Sequence, residues 1–177
     1  MNKKNYIIVY IVIVTITFGL YSNSLDNEFI NYWDDNTYIT ANELIKTLNF
    51  NNLRLIFTSF YHTDFYPINL LSYAIDYHFW GLNPMGYHIT NVLIHSLNGL
   101  LIFLIIMAIR KNVLTASITT VVFIIHPVNV ESVAWISERK NVLSFFFFLT
   151  AFYLYIKSQN NKKIYCYLIS LIMYIIA

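Results

Sequence analysis

The sequence is poor in charge and has very little cysteine, glycine or proline for a chain of 177 residues. Charged residues make up 11% of the chain, against about 25% in soluble globular domains, and 58% are apolar. So little charge cannot keep this much Phe, Tyr, Ile and Leu in solution, because a small domain exposes much of its surface. The composition excludes soluble, disordered and collagen-like chains and predicts a membrane protein with several spans.

Other absences exclude several kinds of site. The one cysteine, Cys166, lies in an apolar run, which excludes a disulfide framework and a cysteine metal site. The net charge is only +2, and no basic cluster is interleaved with aromatic residues. Nucleic acid is therefore not an expected partner, whereas the lipid bilayer is.

Five apolar segments predict an all-α, polytopic membrane protein with about five transmembrane helices. Each crossing needs about 20 mostly apolar helical residues. The predicted spans are residues 6–21, 87–109, 113–127, 142–156 and 164–177. The last segment gives only about 21 Å of helix before the sequence stops. We therefore expect the chain to be the N-terminal part of a longer transmembrane domain, with the fifth span incomplete.

The placement of charge predicts the topology, because Lys and Arg favour the cytoplasmic side of short loops. With the N-terminus in the cytoplasm, seven of the eleven Lys and Arg residues lie inside and all nine acidic residues lie outside. Residues 22–86 then form a large external loop.

This external loop is patterned for short helices. Apolar residues recur with helical spacing over residues 44–48 and again over 53–60, and residues 49–52 separate the two elements. Pro67 predicts the start of another helix, which runs to Trp80. We expect these helices to lie in the membrane interface at the depth of the lipid headgroups. The alternative is that they merely anchor the loop.

Two adjacent carboxylates, Asp34 and Asp35, follow the first span. One of them can act as a general base on an incoming hydroxyl, or both can bind a divalent cation. Solvated loop acids are the third alternative. The dipeptide alone does not separate these alternatives.

A second cluster of polar residues lies between the third and fourth spans. Pro127 predicts that a helix ends or kinks just after His126. Glu131 and Glu138 are seven residues apart, so they lie near one face if this stretch is helical. This segment is predicted to lie on the same external side as the first loop.

Cations and imidazoles add further candidates. Arg139 and Lys140 are either interface anchors or a site for an anionic, membrane-bound substrate, because a guanidinium matches a phosphate bidentately. His88, Asn91 and His95 share one face of the second span. Polar residues on one face of a span predict hydrogen bonds to a neighbouring helix. A metal site is less favoured, since no third ligand is evident.

Four blocks of the sequence, taken together, resemble a known family. They are residues 32–35, 65–84, 86–95 and 126–144. In this order they resemble the membrane portion of the transmembrane and tetratricopeptide-repeat-containing O-mannosyltransferases, and they are most similar to the bacterial relatives of that family. The resemblance runs over about residues 15–155.

The resemblance implies a GT-C type glycosyltransferase of the bacterial cytoplasmic membrane. Such an enzyme transfers a sugar from a polyprenyl-phosphate donor to a protein hydroxyl on the extracytoplasmic side. The family's catalytic acids fall on Asp35 and Asp34. The candidates for binding the substrate or the lipid phosphate are Arg139, Lys140, Glu131, His126 and His88.

In that family an array of helical repeats follows the membrane portion, and this chain does not contain it. The resemblance implies no cofactor beyond the divalent cation already named as an alternative. The alternative function is a non-enzymatic membrane anchor that carries the repeat array in envelope assembly.

Overall fold

A computed structural model describes residues 3–177, apart from the side chains of Lys3, Lys4, Asn160 and Asn161. The two lysines contribute to the predicted topology, and their side chains lie outside the described part. Within that part, all regular secondary structure is helical, as the sequence predicts. Its α-helices are α1 (Lys3–Leu20), α2 (Phe50–Thr58), α3 (Pro67–Trp80), α4 (Pro84–Arg110), α5 (Val113–Ile125), α6 (Val130–Ala134), α7 (Arg139–Asn161) and α8 (Ile164–Ile176).

Among the described residues, two helical segments are long and apolar enough to cross a membrane, Pro84–Arg110 and Ile136–Gln159. A third crossing results if Val113–Ile125 and Pro127–Ala134, which meet at a bend of 50°, are counted as one broken span. The helices α1 and α8 are apolar but shorter. Each predicted span is therefore helical, while the count of five spans remains a prediction.

The long helix α4 is the centre of the bundle, and it packs against α1, α5 and α7. Ile13 of α1, Phe103 of α4 and Ile124 of α5 are buried together in one apolar cluster. A polar contact also joins α4 to α7, because the Asn98 side chain donates to the Val142 carbonyl at 2.9 Å. The helix α8 packs along α7.

The segment before α3, residues 22–66, packs against α3 and α4 through a second apolar cluster, which includes Ile39, Ile45, Ile56 and Tyr73. The predicted helix from Pro67 to Trp80 is confirmed.

Two other details of the predicted loop are wrong. Residues 44–48 do not form an amphipathic helix, since only a single 3₁₀ turn, Glu43–Ile45, is present. Residues 49–52 do not separate two helices, because Asn49 caps α2 by accepting a hydrogen bond from the Asn52 N–H at 2.8 Å.

Gly86 allows α3 and α4 to approach each other closely at their connection. A Cβ atom at this position would lie 2.2 Å from Cγ of Trp80, so the indole or the helix would have to shift. We expect Gly86→Ala to lower the free energy of unfolding by about 1–3 kcal/mol, as overpacking does. The thermal unfolding midpoint in detergent measures this change.

Gly19→Ala is the matched control, because no atom lies within 4 Å of a Cβ built at Gly19. Alanine also has the higher helix propensity, so this control should leave the midpoint unchanged or raise it. Equal midpoints for the two variants would contradict the close approach of Trp80.

Candidate active site

The carboxylate of Asp35 is buried and held by hydrogen bonds. The residue is 1% exposed. Its Oδ1 atom accepts from the Ser137 N–H at 3.0 Å, from the Trp135 indole Nε1–H at 3.1 Å and from the Ser137 hydroxyl. The backbone N–H of Ile30 donates to Oδ2 at 2.8 Å. Among the described residues this is the one donor to Oδ2, so this oxygen keeps lone-pair capacity for a further proton or donor.

The turn that follows Asp35 has an unusual backbone. Asn36–Thr40 forms a single π-helical turn, and the Ala41 N–H donates to the Asn36 carbonyl at 2.9 Å, five residues back. The Tyr38 hydroxyl of this turn donates to the carboxylate of Asp64. Single π-helical turns are rare and occur frequently at functional sites.

The neighbouring Asp34 faces solvent and a lysine. Its side chain is 44% exposed, and its Oδ2 atom lies 3.8 Å from Nζ of Lys140. The same Nζ lies 3.1 Å from Oε1 of Glu138. Lys140 therefore lies between two carboxylates, and its side chain is 30% exposed. Within the described residues, no group of three or more His, Cys, Asp or Glu side chains is arranged to hold a metal ion.

Two cavities flank the acidic pair. The smaller one has a volume of about 280 Å³ and is lined by Asp35, His88 and Trp135 among others. The larger one has a volume of about 620 Å³, and Lys140 lines it together with mostly apolar side chains, including Phe65 and Phe147. The acidic pair thus touches both cavities, since Asp35 lines the smaller one and Asp34 contacts Lys140, which lines the larger one.

The polar face of α4 behaves in part as predicted. The Asn91 amide donates to the carbonyls of Val133 and Trp135, each at 3.3 Å, which confirms hydrogen bonding from this face to a neighbouring segment. His95 is buried between the rings of Tyr21 and Phe123. His88 on the same face is 2% exposed and lines the smaller cavity.

Arg139 is completely buried, and protein groups surround its guanidinium. Its Nη2 atom forms an ion pair with Oδ2 of Asp76 at 2.5 Å and donates to the Tyr87 carbonyl at 3.0 Å. The Nε–H donates to the Asn91 side-chain oxygen at 2.7 Å, and Nη1 donates to the Ser72 hydroxyl at 3.2 Å. Such a placement favours a structural role over direct contact with a lipid phosphate.

The partner of this arginine is equally enclosed. The side chain of Asp76 is 6% exposed, and its Oδ1 atom accepts from the Thr90 hydroxyl at 2.8 Å. Burial raises the pKa of Asp76 above its ordinary value, and the Arg139 charge opposes that rise. The guanidinium carbon also lies 4.7 Å from the centre of the Tyr73 ring.

The remaining predicted candidates lie on the segment between α5 and α7. The prediction that a helix ends near Pro127 is confirmed, because α5 ends at Ile125 and the Val128 N–H donates to Nδ1 of His126. His126 and Glu131 are both exposed, and neither lines either cavity.

The continuous helix that would align Glu131 with Glu138 is absent from this described segment. The short helix α6 ends at Ala134, Trp135 is extended at φ −88° and ψ 123°, and a 3₁₀ turn follows. The two acids therefore do not share a helix face. Because the backbone of Trp135 is extended, its own indole and the Ser137 N–H both point towards Asp35.

Sequence patterns did not identify three residues that contact the candidate site residues. Trp135 and Ser137 donate hydrogen bonds to Asp35, and Asp76 forms the ion pair with Arg139. Trp135 and Ser137 lie inside the motif at 126–144, but nothing local indicates that they donate to Asp35. Asp76 carried a usable signal, because it is the one acid in the largely apolar sequence of α3. An acid in such a helix predicts a buried partner of opposite charge.

The chain is similar to several curated proteins, although no family model and no solved structure matches it. It is 30% identical over 159 residues to protein O-mannosyl-transferase Tmtc1 of Drosophila melanogaster, and 32% identical over 151 residues to protein O-mannosyl-transferase tmtc2 of Xenopus laevis. These matches cover 84% and 81% of this chain and 18% of each relative.

A shorter match, 35% identical over 101 residues, links 56% of this chain to 11% of protein O-mannosyl-transferase TMTC1 of Mus musculus. The chain thus spans less than a fifth of the length of these relatives. Over most of its own length, it has the TMTC protein O-mannosyl-transferases as homologues, which supports the family resemblance seen in its motifs.

Proposed function

We propose that the chain carries part of the active site of a membrane glycosyltransferase. The enzyme transfers a sugar from a polyprenyl-phosphate donor to a Ser or Thr hydroxyl of a protein on the extracytoplasmic side. The observation that carries this proposal is the buried, hydrogen-bonded carboxylate of Asp35 in a small cavity, next to the Asp34–Lys140 pair at a large apolar cavity. The names of the homologous proteins support the transfer of a sugar to protein.

The proposed reaction is a single displacement at the anomeric carbon. The acceptor hydroxyl oxygen attacks this carbon while Asp35 takes the hydroxyl proton on Oδ2, and the bond from the sugar to the phosphate oxygen breaks. The lipid phosphate leaves with the electron pair, so the anomeric configuration inverts. Positive charge develops on the sugar ring in the transition state, and the adjacent Asp34 carboxylate stabilises it.

The larger cavity suits the donor lipid. Its aromatic and aliphatic lining matches a polyprenyl chain, and Lys140 supplies a cation for the leaving phosphate. We assign this contact to Lys140 rather than Arg139, because the Arg139 guanidinium is enclosed by protein groups. His88 faces the smaller cavity, where it can hydrogen-bond a substrate hydroxyl or phosphate oxygen.

The topology belongs to the same proposal, with the N-terminus in the cytoplasm of a bacterium. Asp35 lies in the first predicted external loop and Ser137 in the next, and their direct hydrogen bonds support placing both loops on one side of the membrane. The exposed Glu131 and His126 lie on this side as well, where they are available to the acceptor protein or to a cation.

Lys140→Met tests the phosphate contact. We expect it to lower kcat for transfer by about 10²-fold, the typical cost of removing a group that stabilises developing negative charge. Lys140→Arg should retain most of the activity, because it keeps the cation. The measurement is sugar transfer by the full-length gene product in membranes, with labelled polyprenyl-phosphate sugar and a Ser/Thr peptide.

Lys46→Met serves as the control, since Lys46 pairs with Glu43 and lines neither cavity. A non-enzymatic anchor for a repeat array would make Lys140 dispensable. Full transfer by Lys140→Met would remove this residue from the proposed mechanism.

A further inference from the structure

We propose that the buried Arg139–Asp76 pair and Tyr73 act as positioning residues for the catalytic base. This inference rests on the proposed function, because it assigns them the task of holding the hydrogen-bond donors of Asp35 in place. Those donors lie on residues 135–137, named here the donor segment. Three of the four hydrogen bonds to the Asp35 carboxylate come from this segment.

Side chains of α3 and α4 hold the donor segment from the opposite side. The Tyr73 hydroxyl donates to the Ile136 carbonyl at 3.0 Å. The Asn91 amide donates to the Trp135 carbonyl at 3.3 Å. Both of these carbonyls belong to the donor segment, so its main chain is fixed between two helices and Asp35.

Arg139 connects these holding groups to one another. Its Nε–H donates to the Asn91 oxygen at 2.7 Å, which fixes the orientation of that amide. Its guanidinium carbon lies 4.7 Å from the centre of the Tyr73 ring. As the first residue of α7, Arg139 follows the donor segment by two residues, so anchoring its side chain also fixes where the segment ends.

Asp76 sets the position of the guanidinium. It approaches Nη2 at 2.5 Å from α3, while the Tyr87 carbonyl of α4 accepts from the same nitrogen at 3.0 Å. A buried pair of this kind is often no more stable than apolar side chains of the same volume. Its value here is the fixed geometry, since a planar guanidinium directs several hydrogen bonds at once.

The test replaces the ion pair with apolar side chains in the double variant Asp76→Leu/Arg139→Met of the full-length gene product. We expect the double variant to fold, with an unfolding midpoint above that of Asp76→Ala, because it leaves no buried charge without its counterion. We expect kcat for transfer to fall at least about tenfold while KM for the lipid donor stays nearly unchanged, because the base is misplaced and the larger cavity is intact.

Hydrogen exchange of the donor segment gives a readout that does not depend on activity. The Ser137 N–H donates to Asp35, so its exchange rate reports whether the segment stays in place. We expect at least about tenfold faster exchange over residues 135–137 in the double variant. Unchanged exchange and unchanged kcat would overturn the proposal.

Tyr73→Phe provides an independent variant if the double variant does not fold. It removes only the hydroxyl that holds the Ile136 carbonyl, and we expect faster exchange in the donor segment together with lower kcat. Tyr77→Phe, one turn further along α3, is the matched control. If the wild-type protein shows no transfer at all, the proposed function fails, and the exchange rates still decide whether these residues position the segment.

Discussion

Asp35→Asn is expected to lower kcat for sugar transfer by about 10²–10⁴-fold, the range typical for loss of a general base. The amide oxygen of Asn can still accept from Ser137 and Trp135, whereas its NH₂ group, in the place of Oδ2, can neither take up a proton nor accept from the Ile30 N–H. Since the other hydrogen bonds remain, we expect the variant to fold and to reach the membrane. Transfer by membranes that contain equal amounts of each full-length protein measures the effect.

The adjacent acid gives an internal comparison. Asp34→Asn should have a smaller effect on kcat, because this side chain is 44% exposed and contacts Lys140 rather than the buried donors. Asp26→Asn, an exposed acid that lines neither cavity, is the control and should leave transfer unchanged. A fully active Asp35→Asn protein would eliminate the proposed base.

The second large effect expected is on the stability of the fold, through the buried ion pair of Asp76 and Arg139. Asp76→Ala should lower the free energy of unfolding by about 3–5 kcal/mol, because it leaves the buried Arg139 charge without its counterion. Thermal unfolding in detergent, followed by helical circular dichroism, measures the loss. Asp76→Asn should cost less, since the amide oxygen can still accept a hydrogen bond from the guanidinium.

Glu43→Ala is the control for this prediction, because it removes the partner of Lys46 from an exposed ion pair. Little change in the unfolding midpoint is expected there. An Asp76→Ala protein as stable as the Glu43→Ala protein would show that the buried pair does not support the fold.

Local signals in the sequence were sufficient for several helix boundaries. Pro67 favours the first position of a helix, and α3 begins there. Pro127 disfavours helical backbone at His126, and α5 ends one residue earlier. These features depend on single residues and their immediate neighbours, which explains why they are predictable.

Residues 49–52 show that asparagine is compatible with both a loop and the start of a helix. Asn favours loops between elements, and it also favours the N-cap of a helix. In the structure the Asn49 side chain caps α2, so the stretch starts a helix rather than separating two. The pattern alone does not choose between these uses.

The site could be predicted only in part. The acidic pair was assigned its role by the family resemblance, but the Trp135 and Ser137 donors to Asp35 lie 100 and 102 residues further along the chain. Arg139 was predicted either as an interface anchor or as a ligand for an anionic substrate, because a guanidinium matches a phosphate bidentately. Its partner Asp76 is 63 positions away on another helix, and only the tertiary structure brings the two charges together.

Transfer by purified protein tests the central proposal most directly. The full-length gene product would be incubated with a polyprenyl-phosphate sugar and a Ser/Thr peptide, and the peptide would be analysed by mass spectrometry and NMR spectroscopy. The proposed function predicts addition of one sugar with inverted anomeric configuration by the wild type, and almost none by Asp35→Asn. Retention of configuration, or equal transfer by both proteins, would contradict it.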